Sequence, residues 1–460
     1  MAKAPEELMT TPGMSAAPAR AAARPPSHPL PMVAILPWGD FIEDFLDAIG
    51  LSLEDFAYKM TGGWLFGYID ALRLQGIRST IFCFSKHARN TVRMVHKGTG
   101  AEIVILRTAH VYRKIREHAK DPYGSNAEQM FGVTRGFARF ARKLLQPLVS
   151  YLATPITSLA REIRRSGCTA ILCQEYETPR FDAAIAIGTL LGIPVFATFQ
   201  GGSWHRSRIE WRVRPRTLRL SAGLIIASSV EANRVRQRYG IASEKISSIF
   251  NPLDLAEWSP GSQPDARRTL GIAEGARIAI WHGRIDIQVK GLDLLLEAWQ
   301  EVCAARPGRE LLLLMVGSGR DAQKFDREIS QRGVPQILWI RDYVLSRTAM
   351  RDYLNAADVY VFPSRREGFP LAPLEAMACG LPVVAACVNG IVDIFGDTQE
   401  FGGIVVALED ACALARNVGK LLDDPVGARA LGARARSRVE RDFSMNTVGA
   451  QLRDLFLREA

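Results

Sequence analysis

The chain has 460 residues, of which 48% are hydrophobic and 23% are charged, values typical of globular proteins. This length predicts more than one domain, and the composition excludes collagens, coiled coils, largely disordered chains and proteins built on membrane-spanning helices. The net charge of +10 is uneven, because residues 1–250 carry 33 Lys and Arg against 20 Asp and Glu (+13), whereas residues 251–460 carry 25 against 28 (−3).

The first half alternates strand and helix patterns behind an Ala- and Pro-rich segment. Residues 1–31 have the composition of a flexible tail. A short buried strand is predicted over residues 32–36 and helical apolar spacing over residues 40–60. A glycine turn at Gly62 and Gly63 then opens a further helix. The alternation continues to residue 239, which predicts a parallel sheet with helices on both faces.

The second half repeats this alternation after a break. Asn251-Pro252 and Ser259-Pro260-Gly261 interrupt regular structure. From Ile278 onward, strands again alternate with helices up to a last helix at the end of the chain. We therefore predict a doubly wound α/β protein with domains at residues 32–245 and 246–440, followed by a helical segment at 441–460 that packs back on the first domain.

The densest candidate site lies in residues 363–385. It begins where a strand ends, passes through Glu367, Gly368 and Pro370, and opens a helix that carries Glu375. Ligands of open α/β sheets bind at the carboxyl ends of the strands, and the free N–H groups of a helix start suit a phosphate. We expect the two glutamates to hold hydroxyl groups at two points of one elongated ligand.

A second candidate site follows the strand that ends at Trp281. The loop after it carries Arg284 and Lys290, and a helix begins at Leu292. Two cations beside a helix start form a strong diphosphate site.

These motifs together resemble the retaining GT-B glycosyltransferases of family 4, also called glycosyl transferases group 1. Glu367 and Glu375 match the E-x7-E motif of that family, and the sequence from Gly283-Arg284 to Lys290-Gly291-Leu292-Asp293 matches its second loop. Residues 312–319 match its strand ending in V-G-x-G, and residues 251–254 resemble its N-G-V-D segment. The resemblance covers roughly residues 60–460, most strongly after 250, and implies two Rossmann-like domains that face each other across a cleft.

The resemblance implies that the second domain binds a UDP- or GDP-sugar and the first an acceptor hydroxyl, with no metal and no cofactor. Arg284 and Lys290 would bind the diphosphate leaving group, Glu367 would act near the reacting carbon, and Glu375 would hold the ribose. Further donor contacts are implied for Gly62, Gly63, Ile340, Arg341, Gly368, Phe369, Pro370 and Leu371.

The acceptor side departs from the family pattern. Histidines of the family are replaced where this chain reads Leu172-Cys173-Gln174-Glu175, and a second expected histidine is Gln200. We take Glu175, Gln200 and His205 as the candidate substitutes. A buried hydrogen-bonded network is the alternative interpretation for Glu175 and Gln200.

Basic segments of the first half suggest an anionic partner. Residues 206–219 hold six arginines among apolar residues, and residues 134–145 have a similar pattern. A solvated helix face is the ordinary interpretation; the functional one is an anionic or lipid-linked acceptor, or an anionic membrane. The seven cysteines lack disulfide or zinc spacing, which predicts a cytoplasmic protein. The basic segments make the inner face of the membrane a candidate contact.

The expected function is therefore transfer of a sugar in the synthesis of cell-surface polysaccharide or glycolipid. Two alternatives stay open. One is a non-catalytic module that binds anionic surfaces or nucleic acid, although no nucleic-acid motif accompanies the charge. The other is a sugar epimerase related to the GT-B enzymes.

Overall fold

Two parallel sheets organise the chain in the computed structural model, which describes residues 30–37, 39–61, 63–119, 128, 130, 132, 148–201, 208–396 and 401–458. The sheets belong to one unit, Pro31–Ala460. Gly62, His205 and the basic segment of residues 134–145 lie outside the described residues.

The first sheet has eight strands in the order β3-β4-β2-β1-β5-β6-β7-β8. All neighbours pair in parallel except β3, which runs antiparallel to β4. Nearly every residue of the central strands is buried, as expected for a sheet covered on both faces. The strands are β1 (Met32–Leu36), β2 (Arg78–Ser85), β3 (Val92–Val95), β4 (Glu102–Arg107), β5 (Ala170–Gln174), β6 (Val195–Thr198), β7 (Gly223–Ile225) and β8 (Ile246–Ser247).

Helices of the first domain connect these strands. The continuous helical pattern predicted over residues 40–60 is broken in two, because Gly50 ends one helix in the left-handed region (φ 70°) and Ser52 caps the next. The helices are α1 (Ile42–Ile49), α2 (Leu53–Tyr58), α3 (Gly63–Leu74), α4 (His110–Glu117), α5 (Ile156–Arg165), α6 (Pro179–Leu191), α7 (Arg208–Leu220) and α8 (Ser229–Tyr239), with 3₁₀ turns at Ser150–Ala153 and Ser243–Lys245.

The second sheet has six strands, all parallel, in the order β11-β10-β9-β12-β13-β14. Apolar residues fill both of its faces, which explains why its strands are continuous apolar runs. The strands are β9 (Arg277–His282), β10 (Leu311–Val316), β11 (Ile337–Ile340), β12 (Val359–Phe362), β13 (Val383–Ala386) and β14 (Gly403–Val406).

Helices cover both faces of the second sheet. The helices of this second half of the chain are α9 (Gln263–Leu270), α10 (Ile287–Lys290), α11 (Leu292–Ala304), α12 (Ala322–Arg332), α13 (Arg347–Ala356), α14 (Ala372–Ala378), α15 (Ile391–Phe395), α16 (Ala411–Asp423), α17 (Pro425–Asp442) and α18 (Met445–Arg458). None of the helices in the described ranges is long and apolar enough to cross a bilayer.

The last helix returns to the first domain. Helix α18 packs along α3, and the ring of Phe456 meets that of Phe196 on β6 at 4.8 Å. The helices approach closely because α18 carries Gly449, where an added Cβ would lie 2.4 Å from the carbonyl oxygen of Ala71. The two parallel sheets with their helices confirm the predicted fold class. The first sheet extends to Ser247, two residues beyond the domain boundary predicted at residue 245.

Candidate functional site

Two loops of the second domain meet at the carboxyl edge of its sheet. The lysine loop (residues 283–291) follows β9, and the glutamate loop (residues 363–371) follows β12. Because β9 and β12 are parallel neighbours, their loops leave the sheet at the same edge. Lys290 Nζ lies 2.6 Å from Glu367 Oε1, and both side chains are largely buried. Lys290 and Glu367, which the sequence placed in two separate candidate sites, are therefore in direct contact.

Backbone contacts fix this meeting point. Gly291 ends α10 in the left-handed region (φ 60°), and an added Cβ would lie 2.1 Å from the carbonyl oxygen of Pro363. The N–H of Arg365 donates to the carbonyl oxygen of Val289 at 2.9 Å. The two loops are thus joined directly by main chain, and only a glycine fits at residue 291.

The side chain of Arg365 also joins the loops, because it donates to the carbonyl oxygen of Gln288 at 3.3 Å. Its guanidinium contacts both oxygens of Asp293 at 2.7 and 2.8 Å, and Glu409 at 2.5 Å. Hydrogen bonds to these carboxylates raise the pKa of Arg365, so the bridge stays charged. Sequence reasoning assigned Arg365 no role, although it stands two residues before Glu367.

Glu375 is held by a histidine that the sequence analysis did not select. Glu375 lies in the first turn of α14, and its Oε2 is 2.8 Å from Nε2 of His282, the last residue of β9. The other ring nitrogen of His282 is buried and has no hydrogen-bond partner among the described residues. Its place next to Gly283-Arg284 was the only signal available in the sequence.

A cavity of about 280 Å³ is lined by residues of both domains. Arg284, His282 and Glu375 line it from the second domain, and Gly63 at the start of α3 lines it from the first. Arg284 is exposed and forms no ion pair with any residue that the structure describes. Its guanidinium is therefore available to an anionic ligand in this cavity.

Part of the cavity is lined by residues that follow the predicted pair, Ile340 and Arg341, in the chain. Arg341 binds Asp326 at 2.5 Å and lies over the ring of Trp339, and the carbonyl of Ile340 accepts from Gly317. Neither lines the cavity, whereas residues 342–345 and Arg347 do. Burial lowers the pKa of Arg347, which forms an ion pair with Glu257.

The rest of the glutamate loop packs against the segments that link the domains. Phe369 is buried and stacks on Phe250 at 5.3 Å between ring centroids. Gly368 touches the backbone of the first domain at Gly201. Pro370 and Leu371 lead from there into α14. The described lining of the cavity includes Glu375 but not residues 367–371 or Lys290.

Two of the three acceptor-side candidates, Gln200 and Glu175, form hydrogen bonds within the protein. Both polar atoms of the Gln200 side chain bind Asn251, at 2.8 and 3.0 Å. Glu175 is buried and accepts from the backbone N–H of Gln200 at 2.6 Å. This geometry agrees with the network interpretation of these two residues.

The site can bind an anion and a polyol side by side. Lys290 and Arg284 supply positive charge at the edge of the sheet, where a diphosphate would be stabilised without a protein nucleophile. The carboxylate of Glu375, oriented by His282, can accept hydrogen bonds from hydroxyl groups.

Two family models match the chain, one over each domain. The model "Glycosyltransferase Family 4" matches residues 69–257, and "Glycosyl transferases group 1" matches residues 276–424. D-inositol 3-phosphate glycosyltransferase 2 of Catenulispora acidiphila is 32% identical over 51% of this chain and 56% of that protein. A GDP-mannose-dependent phosphatidylinositol monomannoside mannosyltransferase of Corynebacterium glutamicum is 30% identical over 45% of this chain and 55% of that protein. The chain thus spans about half the length of the curated relatives that it matches.

Solved structures share the fold over nearly the whole chain. A sucrose-phosphate synthase from Thermosynechococcus elongatus superposes with a TM-score of 0.68 at 20% identity, covering 93% of this chain and 98% of that one. HepE of Anabaena, in complex with UDP and glucose, gives 0.64 at 15% identity, covering 93% of this chain and all of that one.

Proposed function

Because this chain belongs to the family 4 glycosyltransferases of the GT-B fold, we propose that it moves a sugar from a nucleotide-diphosphate sugar to a hydroxyl acceptor with retention of the anomeric configuration. The observations that carry this proposal are the Lys290–Glu367 pair, at 2.6 Å, and a cavity lined by Arg284 and Glu375. Those groups match the charges of a diphosphate and the hydroxyls of a ribose.

The chain's own groups supply what the reaction needs. The bond between the sugar carbon and the diphosphate oxygen breaks, and Lys290 and Arg284 stabilise the negative charge that develops on the departing diphosphate. The acceptor oxygen attacks on the face that the diphosphate leaves, and its proton passes to a departing phosphate oxygen. No metal is needed in this scheme, and Glu367 contacts the sugar near the reacting carbon.

The donor is proposed to be a UDP- or GDP-sugar, and the setting to be cell-surface polysaccharide or glycolipid synthesis. The Corynebacterium relative is named for GDP-mannose and a phosphatidylinositol glycolipid, and HepE was solved with UDP. The name of the Corynebacterium relative favours a hydroxyl acceptor that carries an anionic or lipid group.

A donor screen tests the proposal. The protein is incubated with UDP-, GDP- and ADP-sugars, and released nucleotide and sugar products are measured, with Glu367→Ala in parallel. We expect release from one donor class and a loss of about 10²-fold or more in the variant. Conversion of the donor sugar to its epimer would favour the epimerase alternative. Absence of binding and turnover with every donor would contradict the function.

His282→Ala is expected to weaken nucleotide binding through the ribose. The alanine removes the hydrogen bond that orients Glu375, and bonds to charged groups contribute about 1.5–3 kcal/mol. The Kd of the nucleoside diphosphate should rise about tenfold or more, whereas the Kd of its deoxyribose analogue should change little. Calorimetry with both ligands measures this difference, and His87→Ala, at an exposed position, is the control. Equal losses for both ligands would contradict the proposed ribose contact.

We also propose that one face of the first domain contacts an anionic membrane. Helices α5, α6 and α7 pack side by side. Their carboxylates, Glu162, Asp182 and Glu210, are all buried, so the described outer surface of the three helices is cationic. The exposed arginines are Arg161, Arg164, Arg165, Arg212, Arg216 and Arg219, and exposed apolar residues between them are Ile156, Leu190, Trp211 and Leu220. Such a mixture suits the interface of an anionic bilayer.

Charge reversal tests the membrane contact. We expect the wild-type protein to sediment with vesicles of phosphatidylcholine and phosphatidylglycerol but not with phosphatidylcholine alone. Arg212→Glu with Arg216→Glu should reduce this binding about tenfold or more, since each arginine near such a surface contributes about 1 kcal/mol. The matched control is Arg429→Glu with Arg434→Glu, an equal charge change at exposed positions of α17. Equal binding by both double variants would contradict the contact.

A further inference from the structure

Three polar residues, Glu175, Gln200 and Asn251, form a hydrogen-bonded chain from the end of β5 to the segment that follows the first sheet. Glu175, directly after β5, is 2% exposed, and its Oε1 accepts from the backbone N–H of Gln200 at 2.6 Å. Gln200 Nε2 donates to Asn251 Oδ1 at 3.0 Å, and Asn251 Nδ2 donates to Gln200 Oε1 at 2.8 Å. Asn251 is also 2% exposed. The backbone and the side chain of Gln200 are thus both held in place.

The residue after Gln200 rests directly on the glutamate loop. A Cβ on Gly201 would lie 2.7 Å from the backbone nitrogen of Gly368, and a Cβ on Gly368 would lie 2.2 Å from that of Gly201. On its other side, Gly368 lies against Gly390, where a Cβ would be 2.9 Å from the carbonyl oxygen of Gly368. At Gly368 the glutamate loop therefore lies between two other backbone segments.

Gly368 is adjacent in the chain to one member of the candidate catalytic pair, Glu367 and Lys290. Glu367 precedes Gly368 and binds Lys290 at 2.6 Å. Next along the chain, Phe369 stacks on Phe250, the residue before Asn251, with ring centroids 5.3 Å apart. Asn251 thus adjoins the loop through Phe250 and through the Gln200–Gly201 step. A displacement of Gln200 would be transmitted to Glu367 through packed backbone.

We propose that Gln200, paired with Asn251 and supported by Glu175, is a positioning residue that sets the glutamate loop against the first domain so that Glu367 meets Lys290. This inference rests on the proposed sugar transfer. Gln200 acts through the loop, because both polar atoms of its side chain bind Asn251.

An exchange of the two amide side chains tests the pairing. Gln200→Asn makes the pair one methylene too short, and Asn251→Gln makes it one methylene too long. The double exchange restores the combined length. Each single variant is expected to lower kcat about 10- to 100-fold through misplacement of Glu367, whereas the double exchange should return to within about threefold of wild type. The Kd of UDP or GDP should stay unchanged throughout, since the diphosphate and ribose contacts belong to the second domain.

A readout independent of turnover separates this inference from the proposed function. Hydrogen exchange followed by mass spectrometry should show faster exchange in peptides covering residues 363–371 in both single variants. The double exchange should restore it, and peptides covering residues 283–291 should not change. Asn417→Gln, which alters an amide within α16, should affect neither peptide.

Two results would overturn the positioning role. One is a double exchange that performs no better than Gln200→Asn in kcat and hydrogen exchange. The other is a parallel loss of nucleotide affinity and kcat, which would show general structural damage. If the wild-type protein turns over no nucleotide sugar, the proposed function fails, while the exchange pattern still decides whether Gln200 positions the loop.

Discussion

Lys290→Ala is expected to lower kcat/KM for sugar transfer by about 10²- to 10³-fold, the usual loss when one group that stabilises developing negative charge is removed. The ammonium group lies at the meeting point of two loops, 2.6 Å from Glu367 and largely buried. In the proposed reaction, its removal takes positive charge from the leaving diphosphate, and it also leaves Glu367 without its partner. Steady-state kinetics with the donor identified in the screen measures the loss.

Lys420→Ala provides the matched control for this prediction. Lys420 is exposed on α16, so the same side-chain truncation should leave kcat/KM within about twofold of wild type. A Lys290→Ala enzyme that keeps more than a tenth of wild-type kcat/KM would show that the diphosphate is stabilised elsewhere.

Gly368→Ala is expected to reduce kcat at least about 100-fold while the Kd of the nucleotide diphosphate stays within about threefold of wild type. The added methyl group would lie 2.2 Å from the nitrogen of Gly201 and 2.4 Å from the carbonyl carbon of Gln200. Backbone atoms cannot rotate away as a side chain can, so the glutamate loop must separate from the first domain. A shift of about 1 Å in a reacting group can lower the rate 10²-fold.

The control for this substitution is Gly275→Ala. Gly275 is exposed, and its added methyl group would have only an ordinary contact, 3.7 Å from Glu310 Oε2. Kinetics and calorimetry on both variants separate turnover from binding. Full activity in Gly368→Ala would mean that the close contact between Gly201 and Gly368 is not required for transfer.

Local sequence was enough to predict the fold class and the loops that carry the charges. Continuous apolar runs alternate with helical periodicity, and this pattern specifies parallel strands covered on both faces. Arg284 and Glu367 follow strand ends, Lys290 directly precedes the glycine that opens α11, and Glu375 lies in the first turn of α14. These positions can be recognised from neighbouring residues alone. The parallel order then brings Lys290 and Glu367 to one edge of the sheet.

Contacts between distant segments were beyond the sequence. His282 and Glu375 are 93 residues apart, and Gln200 and Asn251 are 51 apart. No local sequence period relates the members of either pair. The packing of the whole sheet decides which strands become neighbours. The sequence suggested Gln200 as an acceptor contact but could not show that both polar atoms of its side chain bind Asn251.

The arginine-rich helix α7 also shows what the sequence predicted and what only the tertiary structure decided. Its composition predicted a basic surface, and Arg212 and Arg216 of α7 are indeed exposed. Arg214, however, is buried. Its guanidinium forms an ion pair with Asp182 of α6 at 3.2 Å and donates to the carbonyl oxygen of Thr178 at 2.8 Å. Sequence by itself determined the charge, the alternation of elements and the loops of the site. Only the tertiary structure decided which charges are neutralised inside and which remain outside, since burying a charge requires a partner that the fold alone brings near.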